Sequence, residues 1–320
     1  NKIKEQTLEF EKEKFKFQDQ RREYYKLVRS MSRDEHIIDS IQDAAEQLNQ
    51  SKPFELQPIL GASSNKHGVL LLSDWHSDMN VDNFLNTFNK DEFLRRINIL
   101  VNKVIEHGKF QQIHTLHVFN LGDLFSGIIM NVIRIATNED IVTQTMYIAE
   151  LLADILYEFA GYFPEVKFYN VIDNHSRVIA NKNESLNKEN FQRFIPWHLK
   201  TRLKDINNVQ IINNALDDEI AIVNICGSTC FAVHGHLDKI NDVVQNLSMM
   251  TKKIPDYVFM GHYHRNASDE IHGCDVVVNS SLIGSDDYSK NIRKTSKPAQ
   301  KFMIFVEGEG MECVYPIKLT

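Results

Sequence analysis

Two textures of hydrophobic patterning divide the chain. Over roughly the first fifty positions, Lys and Glu alternate with Phe10, Phe15, Phe17, Tyr24, Tyr25, Leu27 and Val28, which reads as an amphipathic helix. Ser32-Arg33-Asp34-Glu35 has the form of a capping box and predicts a second helix through Ile37, Ile38, Ile41 and Ala45. Ser51-Lys52-Pro53 then breaks the pattern as a linker. From residue 68 short apolar runs take over. Gly68 to Ser73 predicts a strand buried on both faces, His114 to Asn120 a second, and Val166 to Ile172 a third. Between them, apolar residues recur at helical spacing. One helix runs through Phe93, Ile97, Leu100, Val101, Val104 and Ile105. Another spans about 138–161, opening at Thr137 or Asn138 and apolar at Ile141, Met146, Ile148, Leu151, Leu152, Ile155 and Leu156. This β-α-β-α-β order favours parallel strands joined by helical crossovers.

The second half is richer in strands. Candidates are Val209 to Ile212, Ile220 to Ile225, Thr229 to Val233, Tyr257 to Met260, Val276 to Asn279, Met303 to Val306 and Cys313 to Ile317, with a helix near Ile240 to Met250. So many strands with flanking helices bury everything if two sheets pack face to face under helical covers. The predicted architecture is therefore α/β, a four-layer αββα sandwich over residues 53–320 with a helical N-terminal extension over residues 1–52.

Composition narrows the class. The 320 residues are 42% hydrophobic and 25% charged, ordinary for a soluble globular protein. No run of about 18 apolar residues occurs, so no membrane-spanning helix is expected. Asn1-Lys2-Ile3-Lys4-Glu5 lacks the apolar core of a signal peptide, and the missing initiator Met points to a processed or trimmed chain. A net charge of −7 does not announce a nucleic-acid binder, although a basic surface can exist locally. Cys226, Cys230, Cys274 and Cys313 have no zinc-ribbon spacing, and the first two fall in apparent strands. Buried free thiols in a reducing cytoplasm are the expected state.

Candidate chemistry concentrates just after the predicted strands. Asp74-Trp75-His76, Gly122-Asp123, Asn174-His175, His234-Gly235-His236 and Gly261-His262-Tyr263-His264 each follow an apolar run. Ligands at the ends of several strands can converge on one point. Asp74 and His76 flank a single residue, so both can reach one ion; the two oxygens of Asp123 can bridge two. The sum is two carboxylates (Asp74, Asp123), one amide (Asn174) and four imidazoles (His76, His234, His262, His264). A mixed nitrogen and oxygen set without thiolate suits Mn²⁺, Fe or Zn²⁺ better than Ca²⁺. Each motif alone is weak; their ordered conjunction carries the argument.

Taken in order, the motifs resemble the signature of the calcineurin-like metallophosphoesterase superfamily: D-x-H, G-D, G-N-H-D/E, H and G-H-x-H. The resemblance spans about residues 68–318. It implies a β-sandwich flanked by helices and two divalent ions, with Mn²⁺ favoured and Fe, Zn²⁺ or Mg²⁺ also suitable. It implies Asp74, His76, Asp123 and His264 around one ion. Asp123, Asn174, His234 and His262 would surround the other, with Asp123 as the bridge. Two cations about 3.5–4 Å apart neutralise a phosphate ester and activate a bound water for attack. Asp123 and His175 are the catalytic candidates, His175 to protonate the departing oxygen. Two departures stand out. Asp173 replaces the usual glycine and must make the turn without glycine's freedom, and Ser176 replaces the acid that follows Asn-His. His236 is placed outside the ligand set.

The substrate is less legible. After the third motif (Asn174-His175), Arg177, Lys182, Lys188, Arg193, Lys200, Arg202 and Lys204 interleave with Phe191, Phe194, Trp197 and His198. Cations with aromatics suit a stacked polyanion such as DNA; an ordinary helix with a solvated face and an aromatic core stripe explains them equally well. Arg177, Lys182 and Arg193 are the candidate substrate contacts. A second basic run, Lys290, Arg293, Lys294, Lys297 and Lys301, reads as a mobile loop near the active side. The whole pattern looks most like the DNA-repair exonuclease branch, including its phage-borne versions, which are Mn²⁺-dependent and cut phosphodiesters. The expected activity is a DNA nuclease, exo- or endonucleolytic. The alternatives are a phosphomonoesterase acting on a phosphoprotein or nucleotide, and a non-catalytic scaffold. DNA or another phosphodiester is the expected partner, with a homodimer through the N-terminal helices and no membrane.

Overall fold

A computed structural model describes residues 9–22, 24, 25, 28, 64–129 and 136–320. The chain falls into two units, Asn1–Ser51 and Lys52–Thr320. Of the first, residues 9–22 form helix α1, along which Phe10, Phe15 and Phe17 are exposed. The predicted second helix and the linker at Ser51-Lys52-Pro53 lie outside the described residues.

The larger unit is built on two sheets. The first comprises β1 (Lys66–Leu72), β4 (Thr115–Asn120), β5 (Glu165–Asn170), β6 (Val209–Ile212), β12 (Ala299–Val306) and β13 (Gly310–Lys318), in the order β13-β12-β1-β4-β5-β6. The second orders β10 (Ala267–Ile271), β11 (Cys274–Val278), β9 (Tyr257–Met260), β8 (Ser228–Val233) and β7 (Ala221–Ile225) side by side. A small hairpin joins β2 (Val81–Asn83) to β3 (Asn86–Phe88). The hairpin and β10 had no signal in the apolar pattern, being short and largely polar.

Alternation along each strand decides what faces what. Val69 and Leu71 of β1, Phe119 of β4 and Tyr169 of β5 meet Ile225, Cys230, Phe259 and Val277 of the second sheet in one buried core. Their neighbours Leu70, Leu72, Val118 and Phe168 point the other way and are buried as well. That two-sided burial is why these strands read as continuous apolar runs. Each fully buried Phe or Leu contributes about 1.5–3 kcal/mol. Helices α2 (Lys90–Gln111), α3 (Ile141–Ala160) and α4 (Phe194–Arg202) cover the first sheet. Helix α5 (Val243–Thr251) lays Val243, Val244 and Leu247 on Phe231, Val258 and Val276 of the second. The result is four layers, α-β-β-α.

Two local expectations are corrected. Helix α3 is capped by Asp140, whose Oδ1 accepts from Val142 N at 2.9 Å and Thr143 N at 3.1 Å, and not by Thr137 or Asn138. Cys226 lies in the turn between β7 and β8, with φ 52°, and not in a strand. The four thiols are free.

Register fixes where the strands end. β1, β4 and β5 run parallel, with Leu72 opposite Asn120 and Asn120 opposite Asn170. In the second sheet β8, β9 and β11 run parallel, with Val233 opposite Met260 and Met260 opposite Val278. Each set therefore stops level, and its loops emerge from one edge.

Candidate metal centre

All five motifs occupy loops leaving these level carboxyl ends. Pairing of β1 with β4 continues past the strands, as Asp74 N donates to Gly122 O (3.0 Å) and Trp75 N to Asp123 O (2.8 Å). In the second sheet Gly261 N donates to His234 O at 3.0 Å. The sheets are joined when His262 N donates to both carboxylate oxygens of Asp74, each at 3.1 Å. Asp74 (φ 53°), His76 (43°), Asp123 (53°), His262 (64°) and His264 (52°) all take left-handed backbone. Such a residue costs about 1 kcal/mol or more, and outliers of this kind gather where structure is held for function. Asp173 has no positive φ, so the turn expected there is corrected. The left-handed glycine of the site is Gly122, in the loop after β4, at φ 97°.

The geometry brings the predicted ligands together in two groups sharing Asp123. Ligand atoms of Asp74, His76, Asp123 and His264 lie within 4.8 Å of one another, as do those of Asp123, His234 and His262. Asn174 joins the second group, its Oδ1 3.0 Å from His234 Nε2. His234 Nε2 also lies 3.2 Å from Asp123 Oδ2, and His264 Nε2 is 3.2 Å from Asp74 Oδ1. The Nε2 atoms of His76 and His264 face each other at 3.3 Å.

These side chains fit divalent cations. Asp123 Oδ1, His76 Nδ1 and His262 Nδ1 are buried with no hydrogen-bond partner, which folded proteins avoid unless something else satisfies the group. His234 Nδ1 donates to Leu121 O at 2.7 Å, fixing its tautomer and turning the Nε2 lone pair toward Asn174 and Asp123, two acceptors. Without a cation the only remedy is a proton. Burial would lower His234, but Asp123, by charge and hydrogen bond, raises it to about 10. Asp123 in turn would be raised by burial, yet His175 and His234 hold it well below the carboxylate range. Burial and the charge of His175 push His76 down to about 3; burial and His234 push His262 down to about 4. His76 and His262 are thus held neutral beside an ionised Asp123, as metal ligation requires, whereas His234 would release its proton on binding a cation.

His175 sits at the rim, Nε2 3.8 Å from Asp123 Oδ2, with Nδ1 donating to Ser126 O at 2.7 Å. The two departures from the motif work as a pair. Asp173 Oδ2 accepts from Asp123 N at 2.8 Å, while Oδ1 accepts from Ser176 N (2.7 Å) and Ser176 Oγ (2.6 Å). The Asp173 carboxylate thus ties the backbone of Asp123 to that of Ser176. His236 packs its ring near His234 and His262 but belongs to neither ligand group, and its Nδ1 is buried without a partner.

Other candidates scatter. Arg193 Nε pairs with Asp218 (3.2 Å), and Arg177 Nη2 donates to Ala180 O (3.4 Å). Lys182 is exposed, and its charge reaches His236. On α4, His198 and Arg202 both bond Glu150, while Ile195 and Leu199 enter the core, so much of that face is structural. Lys301 is no part of a loop: it lies buried in β12 with Nζ donating to Ala267 O at 2.6 Å. Gln300 was missed. Its buried amide holds Ser73 N (2.9 Å) and Ser280 O (2.7 Å), bracing the start of the first motif loop. A lone Gln at a strand start gives no signal in sequence.

No family model matches the chain. It is 23% identical over 313 residues to an uncharacterized SPbeta prophage-derived protein, YonJ of Bacillus subtilis strain 168, covering 95% of this chain and 76% of that one. In structure it is similar to an archaeal phosphodiesterase at 16% identity, with 74% of this chain and 92% of that chain covered and a TM-score of 0.36. It is also similar to Vps29 of Entamoeba histolytica, complexed with Zn²⁺, at 12% identity, 78% and 99% coverage and a TM-score of 0.37. At those scores the superposition is loose and assigns no residue a role. Among the described residues, no helix is long and apolar enough to cross a membrane.

Proposed function

We propose that this chain is a metal-dependent phosphoesterase that hydrolyses phosphodiester bonds in DNA. The observation that carries the reading is Asp123, a buried carboxylate common to two adjoining groups of ligand atoms. Asp74, His76 and His264 would complete one cation site, and Asn174, His234 and His262 the other. When bound, two divalent cations supply the charge that offsets phosphate repulsion and makes water nucleophilic near neutral pH. Nitrogen and oxygen donors without thiolate suit Mn²⁺, Fe or Zn²⁺, and the resemblance to the exonuclease branch favours Mn²⁺ among them.

The remaining work falls to the chain. Asp123 keeps its negative charge because His175 and His234 outweigh burial. Asp173 holds the Asp123 backbone in its left-handed turn. The bond from His175 Nδ1 to Ser126 O directs Nε2 toward the Asp123 side, where it can hold a proton for the departing oxygen. A positioned acid of this kind contributes about 10²–10⁴-fold. Exposed Lys182, whose charge reaches His236, supports an anionic chain as substrate, as does the prophage origin of the relative.

The test is direct. Protein stripped by a chelator and reloaded with Mn²⁺ is assayed on single- and double-stranded DNA and on p-nitrophenyl phosphate. Mn²⁺-dependent cutting of DNA well above monoester hydrolysis is expected. Phosphate release from the monoester alone would replace the reading with a phosphomonoesterase, and no turnover on any of them with a scaffold.

A further inference from the structure

Beside the His264 half of the centre, two surface segments are fastened to one stretch of backbone. Asn86 Nδ2 donates to Ile283 O (2.8 Å) and Ser285 O (3.2 Å), and Asn83 Nδ2 to Asp287 Oδ1 (3.1 Å). Arg96, buried, donates to Leu282 O (2.9 Å), Ile283 O (2.7 Å) and Asn86 Oδ1 (2.9 Å). Leu282 N in turn donates to Asp74 O at 3.1 Å. The β2–β3 hairpin is thereby pinned to the residue that opens the candidate site. Asp286 of the same stretch caps helix α6 (Asp287–Asn291) by accepting from Ser289 N at 2.7 Å.

What this rigid mount displays is unusual. At the hairpin tip Phe84 is 87% exposed and Leu85 44%; on the adjoining segment Tyr288 is 60% exposed and Ile292 44%. Lys290 is paired with Asp287, but Arg293, Lys294 and Lys297 are exposed and form no ion pair among the described residues. Bare rings on a pinned turn, next to unpaired cations, mark a binding surface. A duplex offers phosphates but keeps its bases stacked inside. Only unpaired bases present faces to such rings, and stacking contributes strongly per base.

We infer that the hairpin tip at 83–86 and the segment 287–297 form a landing surface for an unpaired DNA strand, delivering it to the centre from the Asp74 and His264 side. The substrate class rests on the function proposed above; the surface itself rests on these contacts.

Binding is measured with chelated protein, which cannot cut, by anisotropy of a short labelled oligonucleotide, single-stranded or duplex, across a salt series. Melting temperatures establish that each variant is folded. Phe84→Ser with Tyr288→Ser is expected to weaken single-strand binding about tenfold or more while changing duplex binding little. Changing Arg293, Lys294 and Lys297 to Ala should reduce the slope of log K against log salt by about 2, since each cation on a single strand contributes roughly 0.7. Both variants should keep wild-type Mn²⁺-dependent hydrolysis of bis(p-nitrophenyl) phosphate. Unchanged single-strand binding in both variants, or equal loss for duplex in Phe84→Ser with Tyr288→Ser, overturns the inference. So does a wild-type dimer that Phe84→Ser dissolves, which would make the surface a contact between copies. Failure of the wild type on the small diester would instead overturn the catalytic reading, leaving the binding arms to decide the surface.

Discussion

Left-handed residues occur at both ends of the sandwich, and what holds them differs. At the far end Cys226-Gly227 joins β7 to β8 and His272-Gly273 joins β10 to β11, with φ of 52° and 89°, and 54° and 75°. Two consecutive positive values are what a two-residue type I′ hairpin demands. A side-chain carbon added at Gly227 or Gly273 would meet nothing within 4 Å. At the site end the left-handed residues are Asp74, His76, Asp123, His262 and His264, all but His262 and His264 fully buried. A carbon added at Gly122 would lie 2.5 Å from Asp173 Cβ. The hairpins are relaxed local solutions. The site is a strained one, kept by hydrogen bonds from other strands.

The sharpest blow to the site end is Asp123→Asn. It removes the charge both ligand groups share, so Mn²⁺ content and Mn²⁺-dependent hydrolysis should both fall to background. Full metal occupancy by elemental analysis would refute the sharing. Next, His175→Asn should retain metal yet lower kcat by about 10²–10⁴-fold, because the ring touches the centre without belonging to either group. Equal loss of metal would make His175 a ligand.

Two glycine substitutions set the ends against each other. Gly122→Ala must both hold φ 97° and displace Asp173, and should lose about 3 kcal/mol or more in chemical denaturation. Gly273→Ala keeps open space and should lose only about 1 kcal/mol. Similar losses would erase the distinction drawn between relaxed and strained turns.

The mildest test concerns Lys301, a buried ammonium bonded to Ala267 O of β10. Burial lowers it to about 8 from 10.5. Between those values the unfolded chain binds the proton more readily than the folded one, so stability should rise with pH from about 8 to 10.5. Lys301→Met should flatten that rise, worth at most about 3 kcal/mol. An unchanged pH profile in the variant would show that Lys301 is not the group responsible.

Much of the site was legible because its residues are chemically distinctive and each follows an apolar run. Asp74, His76, Asp123, Asn174, His234, His262 and His264 were picked on residue type and order, and the fold gathers all seven. Reading Asp173 as a strained substitute for glycine failed, since its work is done by a side chain reaching Asp123 N, a contact 50 residues away in sequence. Lys301 failed for a related reason: a lysine in a basic run looks solvated until a strand carries it inside. Of the surface at 83–86 and 287–297 only the basic run from Lys290 was visible in the sequence; the hairpin half left no pattern, and the two are 204 residues apart where Asn83 meets Asp287.

By itself, the sequence determined the alternation of strands and helices, because two-sided burial demands continuous apolar runs and helical covers demand apolar stripes. It also determined the chemical inventory of the centre, since imidazole and carboxylate are specified residue by residue. Only the tertiary structure decided which atoms face each other. Level parallel strands bring the loops to one edge, and bonds between distant strands hold left-handed turns that no local preference would choose. Directions in space come from packing, and packing is not written in any single stretch of the chain.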